Sequence, residues 1–235
     1  MDDMVPDLDF KPRPTPERPL LGLTVLVVED SRYASEALRL LCLRSGARIR
    51  RADCVASAER HLDVYRPSVA IVDLGLPDGS GLGLVARMAA MQPRVPIILG
   101  TSGAEPDVAA EEMLAAGADG FLPKPVTSLA WFQAAILAHM PPEMMAKPLH
   151  AAETTAPTPD ILAYREDLGH AMDLLALDAP PVGYLRRFLL GLARSARDEG
   201  LADRAERMSE PFSAGDKSGL RAFLSQRLGA MPVAM

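Results

Sequence analysis

The chain of 235 residues contains only two cysteines, and neither stands in a pattern that binds metal or forms disulfides. Cys42 lies among leucines at helical spacing, and Cys54 opens the next helical pattern. No apolar run approaches the ~20 residues that a membrane span needs. The acidic, proline-broken stretch after Met1 lacks the basic start and apolar middle of a signal peptide. We therefore expect a cytoplasmic protein with no membrane segment and no disulfide framework.

The chain also lacks an excess of positive charge. Its net charge is −6; residues 151–235 hold ten Lys/Arg against twelve Asp/Glu, which is −2 and leaves −4 for the rest. Proteins that bind nucleic acid gain affinity by releasing counterions to basic side chains. This balance disfavours a DNA-binding function without excluding it.

Alternating strand and helix patterns fill the first part of the chain. The strand patterns cover roughly residues 23–29, 47–52, 68–73, 95–101 and 119–123. The helical patterns cover roughly residues 31–45, 55–65, 82–91, 106–116 and 127–140. Five βα units in this order predict an α/β fold with a five-stranded, parallel, doubly wound sheet.

Proline content divides the chain. Residues 1–20 contain five prolines and predict a disordered tail, and residues 141–159 contain five more and predict a linker. Between them we place an α/β domain at 21–140. Residues 160–235 carry apolar side chains at helical spacing and predict a small all-α domain, with Asp216 as the N-cap of its last helix.

Polar residues stand at the carboxyl ends of four of the predicted strands. They are Glu29 and Asp30 after the first, Asp73 at the third, Thr101 at the fourth and Lys124 after the fifth. Parallel strands present these ends at one edge of a sheet, where open α/β folds bind ligands. Three carboxylates, a hydroxyl and an amine gathered there can hold a divalent cation and a phosphoryl group.

Four strings around these residues carry a family resemblance, and they are Val27-Val28-Glu29-Asp30-Ser31, Val72-Asp73-Leu74-Gly75-Leu76-Pro77-Asp78-Gly79-Ser80-Gly81, Gly100-Thr101-Ser102-Gly103 and Phe121-Leu122-Pro123-Lys124-Pro125. With them, residues about 22–140 resemble the receiver domain of two-component response regulators, of the flavodoxin-like, chemotaxis-regulator-like kind. The four strings lie outside the C-terminal helices, and we recognise no family resemblance in that region.

The resemblance implies a role for each residue. Asp73 is expected to accept the phosphoryl group, and Lys124 and Thr101 to contact it. Mg²⁺ is the expected cofactor, with Asp30, Asp73 and the backbone carbonyl of Gly75 as ligands. Glu29 would act on the metal through water. Such a receiver promotes only its own phosphorylation and dephosphorylation and is not otherwise an enzyme.

Less specific interpretations apply to single residues. Taken alone, each carboxylate fits a solvated loop residue, and Lys124 fits a surface lysine. Phe121 is either an aromatic switch residue or an ordinary core aromatic. His170 is the one histidine on a C-terminal helix, and no lysine or glycine follows it as in histidine phosphotransfer domains, so we interpret it as structural or exposed.

The C-terminal helices leave two outputs open. Six arginines on two successive helices favour DNA binding, but acidic residues interleave with them as on a solvated helix face. We therefore rank a protein-interaction or oligomerisation module ahead of a DNA-binding transcription regulator. A degenerate receiver that serves as a constitutive scaffold is a third hypothesis. The expected partners are a sensor histidine kinase or histidine phosphotransfer protein, a target protein bound by the C-terminal helices, and a second copy in a phosphorylation-dependent homodimer.

Overall fold

The structure, a computed structural model, describes residues 14–141, 159–209 and 211–231. Five strands form one parallel sheet in the order β2-β1-β3-β4-β5. The strands are β1 (Thr24–Val28), β2 (Arg48–Ala52), β3 (Val69–Asp73), β4 (Ile97–Ser102) and β5 (Gly120–Pro123). This order confirms the predicted doubly wound, flavodoxin-like sheet.

Helices cover both faces of the sheet because the central strands are apolar on both sides. They are α1 (Arg32–Arg44), α2 (Val55–Val64), α3 (Gly81–Ala90), α4 (Pro106–Ala115) and α5 (Leu129–Leu137). Helices α1 and α5 pack on one face around Leu41, Phe132 and Ile136. Helices α2, α3 and α4 pack on the other face, where Met88 and Met113 are fully buried.

Four further helices form a bundle after residue 159, which confirms the predicted all-α region. They are α6 (Ile161–Ala176), α7 (Val182–Ala196), α8 (Glu199–Glu206) and α9 (Ala214–Gly229). Leucines at helical spacing, among them Leu168, Leu189 and Leu224, make its core. None of the helices in the described ranges is both long and apolar enough to cross a membrane.

The predicted N-cap of the last helix was wrong. Ser213 caps α9: its side chain accepts a hydrogen bond from the Asp216 amide, and the Asp216 carboxylate accepts one from the Ser213 amide. This reciprocal pair is a capping box, in which the acidic residue stands three positions after the cap. Asp216 therefore supports the helix start from inside the first turn.

The predicted division into tail, receiver, linker and helical domain stays a prediction. Residues 1–13 of the expected tail and 142–158 of the expected linker lie outside the described residues. Residues 19–22, where tail and receiver were expected to meet, form a turn. Leu20 there is fully buried in the core beneath α1 and α5.

The helical bundle packs directly on the α/β domain. Helix α1 contacts both α6 and α7. Tyr33 at the start of α1 belongs to the apolar core of the bundle, and its ring meets the ring of Tyr164 edge-on at 5.6 Å. A side chain of one region thus completes the core of the other.

Candidate functional site

The strand ends predicted to carry the site do converge. The parallel register sets Val28 beside Val72, Asp73 beside Thr101, and Ser102 beside Pro123. The residues at these ends therefore share one edge of the sheet. Four strands thus bring together the five predicted side chains.

Three carboxylates form a compact acidic cluster at this edge. One oxygen each from Glu29, Asp30 and Asp73 can be chosen so that all lie within 4.8 Å of one another. The ammonium of Lys124 lies 2.6 Å from Glu29 Oε2 and 3.3 Å from Asp73 Oδ2. Asp73 and Lys124 expose only 7% and 9% of their surface. Charges buried in this way persist when their partners neutralise them.

Burial and mutual charge shift the protonation of these groups. Burial raises the pKa of Asp30 to about 7, and the neighbouring Asp73 adds to that rise. Burial also raises the pKa of Glu29, although the adjacent Lys124 opposes it. Burial disfavours the charge of Lys124, but Asp73 and Glu29 outweigh it and raise the pKa of this amine. The cluster is therefore short of positive charge, as a cation-binding site is.

These donors fit a hard divalent cation. Carboxylate and carbonyl oxygens are the ligands that Mg²⁺ takes from proteins, usually one or two carboxylates with waters. Gly75 is buried in the loop after β3, which closes through a bridge between Gly75 and Ser80. The assignment of Asp30, Asp73 and the Gly75 carbonyl as ligands remains a prediction.

The hydroxyl of Thr101 points away from the acidic cluster. It donates a hydrogen bond of 2.7 Å to the carbonyl of Leu122 on β5. Phe121, next along β5, is half-buried against the apolar core under α3 and α4. This arrangement leaves Phe121 on the core side, and its role as a switch stays a prediction.

Sequence reasoning missed two residues at the site because they come from the bundle. The hydroxyl of Tyr184 on α7 donates a hydrogen bond of 2.7 Å to Asp30 Oδ2. Burial and the Asp30 carboxylate raise the pKa of this phenol, which keeps it a donor. Arg187, one turn further along α7, packs against Gly75. No local pattern around Tyr184 or Arg187 distinguishes them from other helix residues.

His170 makes no contact with the acidic cluster. Its imidazole is exposed and meets the ring of Phe188 edge-on at 5.4 Å. The structural or exposed interpretation therefore agrees with where the side chain lies.

The fold and this site define a doubly wound domain with an acidic pocket at the carboxyl edge of its sheet. Residues 25–135 match the model of the response regulator receiver domain family. This part of the chain is a response regulator receiver domain, as the resemblance predicted. Receiver domains hold Mg²⁺ in such a pocket.

Curated relatives agree over the same half. The chain is 35% identical over 105 residues to the virulence transcriptional regulatory protein PhoP of Salmonella typhimurium, covering 44% of this chain and 46% of that one. It is 36% identical over 103 residues to the transcriptional regulatory protein PhoP of Escherichia coli O157:H7, with the same coverage. The chain therefore aligns with about half the length of these relatives.

A solved structure is similar over about half of the chain. A putative response regulator from Chloroflexus aurantiacus shares 28% identity, with a TM-score of 0.46, over 49% of this chain and 98% of that one.

Proposed function

We propose that this protein accepts a phosphoryl group on Asp73 in a Mg²⁺-dependent reaction and signals through its C-terminal helices. The observation that carries this proposal is the convergence of Glu29, Asp30 and Asp73 within 4.8 Å, with Lys124 bound to two of them. Such a set of buried charges has a cost in stability that packing alone does not explain. It suits the binding and transfer of an anionic group.

In this proposal a carboxylate oxygen of Asp73 attacks the phosphorus of a phosphohistidine. A bond forms between that oxygen and phosphorus, and the phosphorus–nitrogen bond breaks with its electron pair staying on the imidazole. Lys124 neutralises charge on the transferred oxygens. Asp30, Asp73 and the Gly75 carbonyl would hold Mg²⁺ directly and Glu29 through water, and the bound ion would supply further charge neutralisation.

The phosphodonor in this proposal is a sensor histidine kinase or a histidine phosphotransfer protein, and the location is cytoplasmic. We further propose that the chain catalyses nothing besides its own phosphorylation and dephosphorylation. Helices α4 and α5 both contact the edge strand β5, from opposite faces of the sheet. They expose Val108, Leu114 and Trp131, which supports self-association along this edge after phosphorylation.

The helical output is proposed to bind protein. Its arginines support this choice, because several are already engaged within the domain. Arg194 pairs with Glu206 at 2.7 Å, and Arg204 stacks on the ring of Phe223 at 4.8 Å. Such arginines are less available to phosphates than an open basic face would be.

A DNA-binding transcription regulator is the second candidate. The PhoP relatives, which are named as transcriptional regulatory proteins, favour it. Retention of the full chain on duplex DNA at moderate salt, lost steeply as salt rises, would support this candidate over the first.

The proposed chemistry is tested by labelling. The full chain is incubated with Mg²⁺ and radiolabelled acetyl phosphate, and the base-labile, hydroxylamine-sensitive label expected of an acyl phosphate is mapped by mass spectrometry. Label on Asp73 is the expected result. Label at another residue, or none, would contradict the proposal.

A further inference from the structure

Helix α7 crosses directly over the proposed acceptor site. A Cβ placed on Gly103, two residues after Thr101, would lie only 2.6 Å from the Cα of Gly191 on α7. A Cβ placed on Gly191 would lie 3.4 Å from the Nζ of Lys124. Two glycines thus let the backbone of α7 approach the loop after β4 and the amine of the site. A glycine inside a helix lowers helix stability. The close approach of α7 to the site explains why a glycine nevertheless stands at position 191.

The same helix also forms a hydrogen bond to Asp30, a proposed metal ligand. Tyr184, about two turns before Gly191, donates its hydroxyl to Asp30 Oδ2 at 2.7 Å. Between them, Arg187 lies against Gly75, with its Cβ 3.3 Å from the position that a Cβ on Gly75 would take. One face of α7 therefore contacts three of the loops that surround Asp73.

A buried carboxylate on α6 anchors this arrangement. Asp167 is 2% exposed and accepts three hydrogen bonds from the start of α1: from Ser31 Oγ at 2.8 Å, the Arg32 amide at 2.9 Å and the Tyr33 amide at 3.0 Å. The first amides of a helix have no partner inside it, and a carboxylate satisfies them well. Asp167 thus caps a helix that belongs to the other region.

A neighbouring cavity does not give access to Asp73. A cavity of about 390 Å³ lies beside the C-terminal end of α7 and is lined in part by Thr101 and Lys124. Neither Asp30 nor Asp73 is among its lining residues.

We propose that the C-terminal helices are an internal cap on the acceptor site, and that their docking and the phosphorylated, metal-bound site exclude each other. A reacting phosphorus must come within about 3–3.5 Å of the attacking oxygen, and α7 occupies the approach to Asp73. Uptake of the phosphoryl group then requires release of the cap, and release exposes the face of α7 that now covers the site. This inference rests on the proposed function of Asp73.

The docked fraction lowers every apparent affinity of the acceptor site. If about nine molecules in ten are capped, ligands of the open site bind about tenfold more weakly than their intrinsic affinity. A variant that opens the cap should therefore gain about that factor in the rate of phosphoryl uptake.

The test uses the full chain with Gly191→Leu and its matched control Gly191→Ala. Alanine places only a Cβ at ordinary contact distance from Lys124, whereas the leucine side chain requires the space that Lys124 fills. Both residues form helices better than glycine, so α7 itself is retained. A second opening variant, Asp167→Ala, releases the cap from its other anchor. Hydrogen exchange of the peptide covering residues 31–34 reports docking, and Mg²⁺ with labelled acetyl phosphate reports uptake.

We expect the wild type and Gly191→Ala to protect residues 31–34 and to label slowly. Gly191→Leu and Asp167→Ala should lose that protection and label about tenfold faster, and Mg²⁺ with beryllofluoride should deprotect the same peptide in the wild type. Equal labelling rates in all four proteins, or full protection with beryllofluoride bound, would overturn the cap while leaving Asp73 as acceptor. Absence of label from all four proteins would instead overturn the proposed function.

Discussion

The receiver and the helical bundle differ in how their chemistry is encoded. The receiver places charged groups where strands end and buries them: the Lys124–Glu29 pair exposes 4% and 1% of its side chains. The bundle keeps comparable pairs at its surface, since Arg194 and Glu206 each expose 48%. Exposed pairs contribute little to stability, whereas buried ones persist only with good partners.

This difference teaches where to look for function in each region. In the receiver, the proposed phosphoryl transfer depends on the identity of a few side chains. In the bundle, the proposed cap depends on where α7 is placed, and the contacts that place it come from Gly191, Tyr184 and Asp167. Substitutions in the two regions should therefore have different effects, which the following experiments measure.

The largest effect is expected at the acceptor. Asp73→Asn is nearly isosteric and removes the nucleophile and its charge, so phosphorylation by acetyl phosphate should be abolished while the fold is kept. Circular dichroism checks the fold. Asp107→Asn, an exposed carboxylate in the first turn of α4, is the matched control and should label normally. Undiminished label on Asp73→Asn would show that the acceptor is misassigned.

The two neighbouring acids, Asp30 and Glu29, should contribute unequally to Mg²⁺ affinity. Asp30→Asn should weaken Mg²⁺ affinity more than Glu29→Gln, because a direct ligand is lost in the first case and a water-mediated one in the second. The expected loss for Glu29→Gln is about tenfold, as for other groups that support a ligand. Calorimetric titration measures both. Equal losses would mean that the two roles are assigned wrongly.

Tyr184→Phe serves as the opposite control in that titration. It removes only the hydroxyl that now donates to Asp30 and should leave Mg²⁺ affinity unchanged or stronger.

A third experiment compares a buried anchor of the bundle with an exposed one. Asp167→Ala leaves two amides, one of them buried, and a buried hydroxyl without their acceptor, so the free energy of docking should weaken by about 3 kcal/mol. Glu166→Gln breaks a pair with Arg32 whose side chains are 55% and 66% exposed, and should change docking by less than about 1 kcal/mol. The rate of phosphoryl uptake, which rises as the docked fraction falls, ranks the two variants, because the amides of residues 31–34 lose their acceptor directly in Asp167→Ala. A larger loss for Glu166→Gln would refute the anchoring role of Asp167.

The smallest effect is expected in signal transmission. The hydroxyl of Thr101 now bonds to Leu122 and must turn inward to reach a phosphoryl group on Asp73. One charge-assisted bond contributes about 1.5–3 kcal/mol, which is less than the ~5.5 kcal/mol that a full population reversal needs. Thr101→Ala should therefore still take up label but show a reduced change in hydrogen exchange at residues 104–125. A wild-type change in the fully phosphorylated variant would rule out coupling through Thr101.

Most of the receiver could be predicted from local patterns. Apolar runs, with the glycines and prolines between them, predicted each strand and helix of the receiver to within a few residues. The parallel topology then predicted that the polar groups at the strand ends lie together. The helices of the bundle were also predicted, because their apolar spacing is regular. The cap of α9 was not: Ser213 and Asp216 both suit a helix start, and only the backbone geometry separates the cap from the third position.

What the sequence alone determined is the fold class and the set of charged groups at the carboxyl edge of the sheet, since the order of strands and the residues at their ends depend on neighbours along the chain. Only the tertiary structure decided that α7 lies over that edge. Tyr184 and Asp30 are 154 residues apart, and Asp167 and Ser31 are 136 apart. Contacts at such separations depend on how two independently patterned surfaces fit, and no local periodicity records that fit.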